Sequence, residues 1–103
     1  MASYQKVLRK SELPEGKGRC VELNGRRIAL FNVGGEFLAI DDTCTHAEAS
    51  LAEGALIDGR TVECPWHGAQ FDIKTGAAKT LPAVEPVKTY PVRVAGEDVE
   101  VEI

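Results

Sequence analysis

Short runs of residues with alternating polarity recur along this 103-residue chain, and turn residues separate them at close intervals. Alternation with a period of two is typical of half-buried strands, and no segment keeps the 3.6-residue period of a long helix. The strongest local signal is Asn24-Gly25, between residues 20–23 and 26–31, because this dipeptide accepts the positive φ angles of a type I′ turn. The chain is therefore predicted to be all-β and antiparallel.

Further turn residues predict the remaining strands. A first strand is predicted at residues 4–8, and Gly34-Gly35 leads into a strand at 36–40. Other predicted features are a hairpin around Asp58-Gly59 that joins residues 55–57 to 60–63, a turn at Thr75-Gly76, a closing hairpin of residues 87–94 and 99–103 around Gly96-Glu97-Asp98, and a short helical turn near residues 47–52. Pro86 and Pro91 are expected at strand starts or edges, because proline has no N–H for a ladder.

Size and charge restrict the class of protein. A chain of this length with 44% apolar residues suits one domain, residues 1–103, with one modest core. The formal charge of −4 is spread along the chain, whereas nucleic-acid binding requires a basic patch. No apolar stretch has the length of a membrane span, and residues 1–10 do not resemble a signal peptide, so a cytoplasmic protein without a membrane partner is expected.

The candidate metal ligands form two mixed pairs. Both histidines of the chain lie close to a cysteine, in Cys44-Thr45-His46 and in Cys64-Pro65-Trp66-His67. Between His46 and Cys64 there are 17 residues, which contain the predicted Asp58-Gly59 hairpin. This hairpin would fold back and bring two cysteines and two histidines to one point.

Two kinds of metal centre use these ligands. Two cysteines and two histidines commonly hold a structural zinc ion, but zinc knuckles usually supply a like pair from each segment. In a Rieske centre two cysteines hold one iron and two histidines hold the other. A mixed pair on each loop suits the second arrangement, although the ligand types alone leave both possibilities open.

The pattern C-x-H, a spacer of this length and then C-P-x-H-G resembles the Rieske iron–sulfur motif. Gly68 and Asp72 match the glycine and aspartate that follow the second histidine, and residues 81–83 stand where the family usually has a proline-containing loop over the cluster. The resemblance implies a β-sandwich base with a small cluster-binding subdomain at about residues 41–80. It also implies one [2Fe–2S] cluster whose cofactor-binding ligands are Cys44, His46, Cys64 and His67, with the histidines exposed at the tip.

Departures from the respiratory members indicate a branch of the family. Ala49 and Trp66 stand where those proteins have two bridging cysteines, and Ala69 and Phe71 stand where they have a serine and a tyrosine whose hydroxyls donate to the cluster. The chain is thus similar to the ferredoxins of bacterial aromatic-ring dioxygenase systems. This similarity implies a soluble, low-potential electron carrier that docks transiently with a ferredoxin reductase and a terminal oxygenase in aromatic hydrocarbon catabolism.

Two alternatives remain at this level, a small subunit of a larger redox enzyme such as nitrite reductase and a structural zinc module. An enzyme in its own right is disfavoured, because no nucleophile is paired with a base and both histidines are used as ligands. Cys20, on an alternating strand, is expected in the core. Trp66 either packs locally or shields the cluster. The acidic residues around the first loop, Asp41, Asp42, Glu48 and Glu53, could steer a basic partner, but such charges are more often simply solvated, and solvation is expected here.

Overall fold

The computed structural model describes residues 3–43, 49–65, 68–79 and 85–102. Within these ranges the strands form three antiparallel sheets, in agreement with the all-β prediction. The first sheet has the order β1 (Tyr4–Arg9), β10 (Asp98–Glu102), β9 (Val92–Ala95). The second has the order β2 (Gly18–Leu23), β3 (Arg26–Val33), β4 (Glu36–Asp41), β8 (Thr89–Tyr90), and the third the order β5 (Ala55–Asp58), β6 (Thr61–Glu63), β7 (Gln70–Asp72). Short 3₁₀ turns occupy Lys10–Glu12 and Leu51–Glu53, and no described helix is long and apolar enough to cross a membrane.

The predicted Asn24-Gly25 hairpin is confirmed. Asn24 has φ 53° and Gly25 has φ 78°, as a two-residue turn of this type requires, and Leu23 pairs with Arg26 across it. Gly34 and Gly35, with φ 61° and 91°, make the next turn in the same way. Local sequence therefore determines the order of β2, β3 and β4.

Strand β3 is covered on both faces, because its successive side chains enter two different cores. Ile28 and Leu30 belong to a cluster that also contains Val99 and Val101 of the first sheet. Ala29 and Phe31 belong to a second cluster, which contains Val62, Phe71 and other residues of the third sheet. The first two sheets thus form a sandwich, and the third sheet packs on the outer face of the second.

Three details of the predicted strands and turns are wrong, namely the single strand at residues 87–94 and the two hairpin turns that follow β5 and β9. Residues 87–94 are two strands, because Pro91 interrupts them: β8 pairs with β4, whereas β9 pairs with β10. The turn after β5 is Gly59-Arg60 instead of Asp58-Gly59, because Asp58 already pairs with Thr61. The turn after β9 is shorter than predicted and consists of Gly96-Glu97, because Asp98 already pairs with Ala95. The short helical turn predicted near residues 47–52 is present as a 3₁₀ turn at Leu51–Glu53, and the part of the prediction at residues 47 and 48 lies outside the described ranges.

Cys20 is also not where the sequence predicts. It lies on β2 opposite Ala29 and is only partly buried, and neither core cluster includes it. The reason is that β2 is an edge strand of the second sheet. The Cys20 side chain interacts with the Arg27 side chain rather than with an apolar layer.

Candidate metal centre

Of the four predicted ligands, Cys64 is in the described part of the chain. It follows β6 directly and is 2% exposed. Cys44, His46 and His67 lie outside the described residues, as do Glu48, Trp66 and residues 80–84. Their assignment as ligands therefore stays a prediction, and the described structure bears on it through the residues at the ends of the two loops.

The second loop, residues 64–69, is closed at its base. The Cys64 N–H donates to the Ala69 carbonyl oxygen at 2.6 Å, directly after the last pair of the β6–β7 ladder, Glu63 with Gln70. Gly68 has φ 71°, a conformation that L side chains adopt rarely. The hairpin thus ends in a tight loop that begins with a buried thiol.

The first loop is closed in a similar way. Thr43 forms an isolated antiparallel bridge with Ser50, and the Leu51 N–H donates to the Asp42 carbonyl oxygen at 2.7 Å. Backbone contacts therefore join the described residues on either side of 44–48, the segment that carries two of the predicted ligands.

The bases of the two loops lie in one core. Ala49, at the end of the first loop, belongs to the same buried cluster as Cys64 and Ala69 of the second. A Cβ built on Gly54 would lie 2.2 Å from the Glu63 carbonyl oxygen, so the segment after the first loop runs directly against the residue before Cys64. The hairpin of β5 and β6 thus brings described residues at the bases of the two loops together. Loops that start from one region suit a group that takes ligands from both.

Two buried residues in the core beside Cys64, at the positions where respiratory members are expected to have a serine and a tyrosine, have no hydroxyl group. Ala69 and Phe71 are both 0% exposed and belong to the cluster that contains Cys64. Neither side chain can donate a hydrogen bond to a bound group.

Beyond Phe71, Asp72 stabilises the turn after β7. Its carboxylate accepts hydrogen bonds from the Lys74 and Thr75 N–H groups at 2.8 and 3.1 Å, and Arg60 Nη2 lies 2.8 Å from it. Burial alone would raise the pKa of Asp72, but these hydrogen bonds together lower it below its ordinary value. The motif aspartate is thus a structural element of the turn that supports the second loop.

The acidic residues near the first loop have different environments. Glu53 is exposed as expected, but Asp42 is 0% exposed and the prediction that it is solvated is wrong. Asp41, on the opposite face of β4, accepts a hydrogen bond from the Tyr90 hydroxyl, which together with burial raises the pKa of Tyr90. Sequence analysis missed Asp42, because its burial depends on contacts that no local pattern indicates.

Comparisons with known proteins agree with this geometry. The Rieske [2Fe–2S] domain family matches residues 3–91. The 3-phenylpropionate/cinnamic acid dioxygenase ferredoxin subunit of Escherichia coli strain K12 is 50% identical over 93 residues, which are 90% of this chain and 87% of that protein.

Two solved structures are also similar. The ferredoxin of carbazole 1,9a-dioxygenase from Nocardioides aromaticivorans IC177 superposes with a TM-score of 0.91 at 33% identity, over 96% of each chain. A chain in a complex of reduced oxygenase and oxidised ferredoxin in carbazole 1,9a-dioxygenase gives a TM-score of 0.89 at 39% identity, over 95% of this chain and 91% of that one. With its matching motif, its paired loops and these relatives, the chain belongs to the Rieske [2Fe–2S] domain family.

Proposed function

We propose that this chain is a soluble, low-potential carrier that takes single electrons from a ferredoxin reductase and passes them to a terminal oxygenase acting on aromatic compounds. The observation that carries the proposal is the 50% identity, over 90% of the chain, to a dioxygenase ferredoxin subunit. The match also covers 87% of that subunit, so nearly the whole of a relative that is named as a ferredoxin subunit supports the proposal.

The ligand set is part of the proposal. A Rieske cluster, when bound, supplies a centre that accepts and returns one electron. Cys44 and Cys64 would hold one iron, and His46 and His67 the other. Supporting this, Cys64 is buried at the base of a closed loop, and Ala49, at one end of the loop that contains Cys44 and His46, lies in the same core. A reducing cytoplasm suits the assignment, because both cysteines must remain thiolates.

We further propose that residues 1–103 form one domain with its cluster-binding part at about residues 41–80. The support is β3, whose side chains enter both core clusters, so one strand of the sandwich packs against the first sheet on one face and the cluster-binding sheet on the other. Separating them would expose one face of that strand.

Metal analysis tests the centre itself. We expect the protein purified without air to be red-brown and to contain two irons and two acid-labile sulfides per chain, with the EPR signal of a Rieske centre on reduction. A colourless protein with one zinc ion per chain would contradict the proposal and favour the zinc module.

Electron delivery is tested with the reductase and oxygenase of a 3-phenylpropionate dioxygenase system. Stopped-flow mixing should show reduction by the reductase and reoxidation by the oxygenase. The complexes should not survive gel filtration, because a transient carrier is expected to bury less than about 1,200 Å² with each partner. A stable, stoichiometric complex on gel filtration would instead support a permanent subunit of a larger enzyme.

A further inference from the structure

Asp42 is a fully buried carboxylate two positions before the predicted ligand Cys44. Burial of a charged group is costly unless hydrogen bonds and an opposite charge compensate it. The described contacts of Asp42 are therefore informative about what the residue does, because an asparagine or an apolar residue would avoid this cost.

One oxygen of Asp42 joins the two ends of the first loop. Oδ1 accepts a hydrogen bond from Ser50 Oγ at 2.8 Å and another from the Ala52 N–H at 3.0 Å. The Asp42 carbonyl oxygen accepts a third from the Leu51 N–H at 2.7 Å. Three contacts thus connect the residue before the loop to the three residues that follow Ala49.

The second oxygen leaves the carboxylate incompletely neutralised. Oδ2 lies 3.4 Å from Arg27 Nη2, and among the described residues it accepts no hydrogen bond of good geometry, although the Cys20 thiol also lies against the Asp42 carboxylate. The Arg27 side chain is 56% exposed, so water screens its charge while the carboxylate itself is excluded from water. The contact is also braced by the backbone, because the Asp42 N–H donates to the Arg27 carbonyl oxygen at 3.0 Å.

Chain connectivity places this charge near the site. Two residues of extended chain span at most about 7 Å, so the Cα atoms of Asp42 and Cys44 cannot be farther apart than that. Charges in a poorly solvated region interact over such distances more strongly than charges in water. A fixed negative charge there opposes the arrival of a further electron.

We propose that Asp42 is a positioning residue for the first cluster-binding loop and that its buried charge, modulated by Arg27, lowers the reduction potential of the centre. The inference rests on the proposed ligand role of Cys44. It assigns two functions to the carboxylate. Through its hydrogen bonds, Oδ1 holds the two sides of the loop together, and the negative charge of the whole group favours the oxidised state of the centre.

The chain offers matched controls on the other face of the same two strands. Arg26 and Asp41 are the sequence neighbours of Arg27 and Asp42, and they meet at the Tyr90 hydroxyl instead of at the first loop. The same charge changes can therefore be made one residue away. Voltammetry and iron content are measured for each purified variant.

Asp42→Asn retains an oxygen that can accept the Ser50 and Ala52 hydrogen bonds but has no charge, so we expect near-normal iron content and a higher potential. Asp42→Ala removes both functions, and we expect iron to be lost faster to a chelator, with Asp42→Asn restoring retention. Asp41→Asn should give a smaller shift than Asp42→Asn.

Arg27→Gln gives the opposite sign. Removal of the positive charge leaves Asp42 less compensated, so we expect a lower potential, whereas Arg26→Gln should change it less. Because Arg27 is exposed, this variant tests the charge effect even if the Asp42 variants fail to fold. An unchanged or raised potential in Arg27→Gln, or an unchanged or lowered one in a folded Asp42→Asn, would overturn the inference. A wild-type protein without an iron–sulfur signal would instead overturn the proposed function.

Discussion

Ala69 and Phe71 determine which hydrogen bonds the centre lacks. Both are 0% exposed, and both lie in the core cluster of Cys64. Hydrogen bonds to cluster sulfurs favour the reduced form, which carries one more negative charge, and their loss lowers the potential. We therefore expect the wild-type potential near the lower end of the Rieske range, about −150 mV.

Ala69→Ser and Phe71→Tyr should each raise this potential, because each adds a hydroxyl where higher-potential relatives are expected to have one. Voltammetry measures the shift. Phe37→Tyr is the control, since Phe37 is buried in the other core cluster and its new hydroxyl should leave the potential unchanged. A wild-type value clearly above zero, or no upward shift in either variant, would contradict the low-potential assignment.

The two described cysteines should respond differently to the same substitution. Cys64 is buried at the base of the second loop, whereas Cys20 is partly buried on the edge strand β2. Burial raises the pKa of the Cys20 thiol, although its hydrogen bond with Arg27 acts in the opposite direction. A thiol with a raised pKa is less available as a thiolate ligand.

Cys64→Ser should therefore abolish most cluster assembly, and Cys20→Ser should leave iron, sulfide and the visible spectrum near normal. Iron and sulfide analysis of both variants is the measurement. If Cys64→Ser retained a normal iron content, the ligand assignment would be wrong.

At the scale of elements, strand β5 lies between two glycines with different surroundings. A Cβ on Gly54 would lie 2.2 Å from the Glu63 carbonyl oxygen, whereas a Cβ on Gly59 would lie 3.8 Å from Val33 Cγ1, an ordinary contact. Neither glycine needs a positive φ, so the comparison isolates packing from backbone conformation. Close approach at Gly54 is what allows the end of the first loop to lie against β6.

Gly54→Ala should destabilise the protein by about 1–3 kcal/mol, because the backbone of Glu63 must move away from the new methyl group. Gly59→Ala should be neutral or stabilising by about 0.4–1 kcal/mol, since alanine restricts the unfolded chain. Thermal unfolding without air, followed by the loss of the visible spectrum, measures both. Equal unfolding temperatures for the two variants would show that the Gly54 contact has no role in holding the loops together.

Elements defined by local chemistry were predictable, and those defined by distant contacts were not. Asn24-Gly25 needs only its own two residues, both at positive φ, to turn the chain from β2 into β3. Pro91, by contrast, lies where the chain changes sheets. It divides residues 87–94 into β8, which pairs with β4, and β9, which pairs with β10. These partner strands are distant in sequence, so the local pattern could not indicate the division.

The candidate site shows the same division. The spacing of Cys64 from Cys44 and the hairpin between them are local, and they predicted that the two loops start from one region, where Ala49, Cys64 and Ala69 share a core. The burial of Asp42 was not predictable, because it requires Ser50 and Arg27 to meet it from two other segments. Apolar residues at every position from Ile28 to Phe31 could have indicated a strand covered on both faces, which is what the third layer produces.

For the whole molecule, the three-layer arrangement separates the two outer surfaces. The first sheet lies on one side of the second, and the cluster-binding sheet lies on the other. Exposed Glu53 lies in the 3₁₀ turn that follows the first loop, and Leu51 of that turn packs in the core of the cluster-binding sheet, whereas exposed Glu97, in the turn between β9 and β10, belongs to the far layer. We expect a partner that approaches the two loops to come closer to Glu53 than to Glu97. Charges on the two sides should contribute unequally to docking.

The net charge of −4 leads to our last prediction, which concerns the rate of electron delivery. Long-range attraction accelerates the encounter with a basic docking face, and salt weakens it because the Debye length is only about 10 Å at 0.1 M. The second-order rate constant for oxidation by the oxygenase should thus fall as NaCl is raised. Glu53→Gln should lower the rate at low salt and flatten this dependence, whereas Glu97→Gln, with the same change in net charge, should have a smaller effect. Stopped-flow measurements over a salt series test both expectations. A rate that does not depend on salt, or equal effects of the two variants, would show that the acidic side near the first loop does not guide docking.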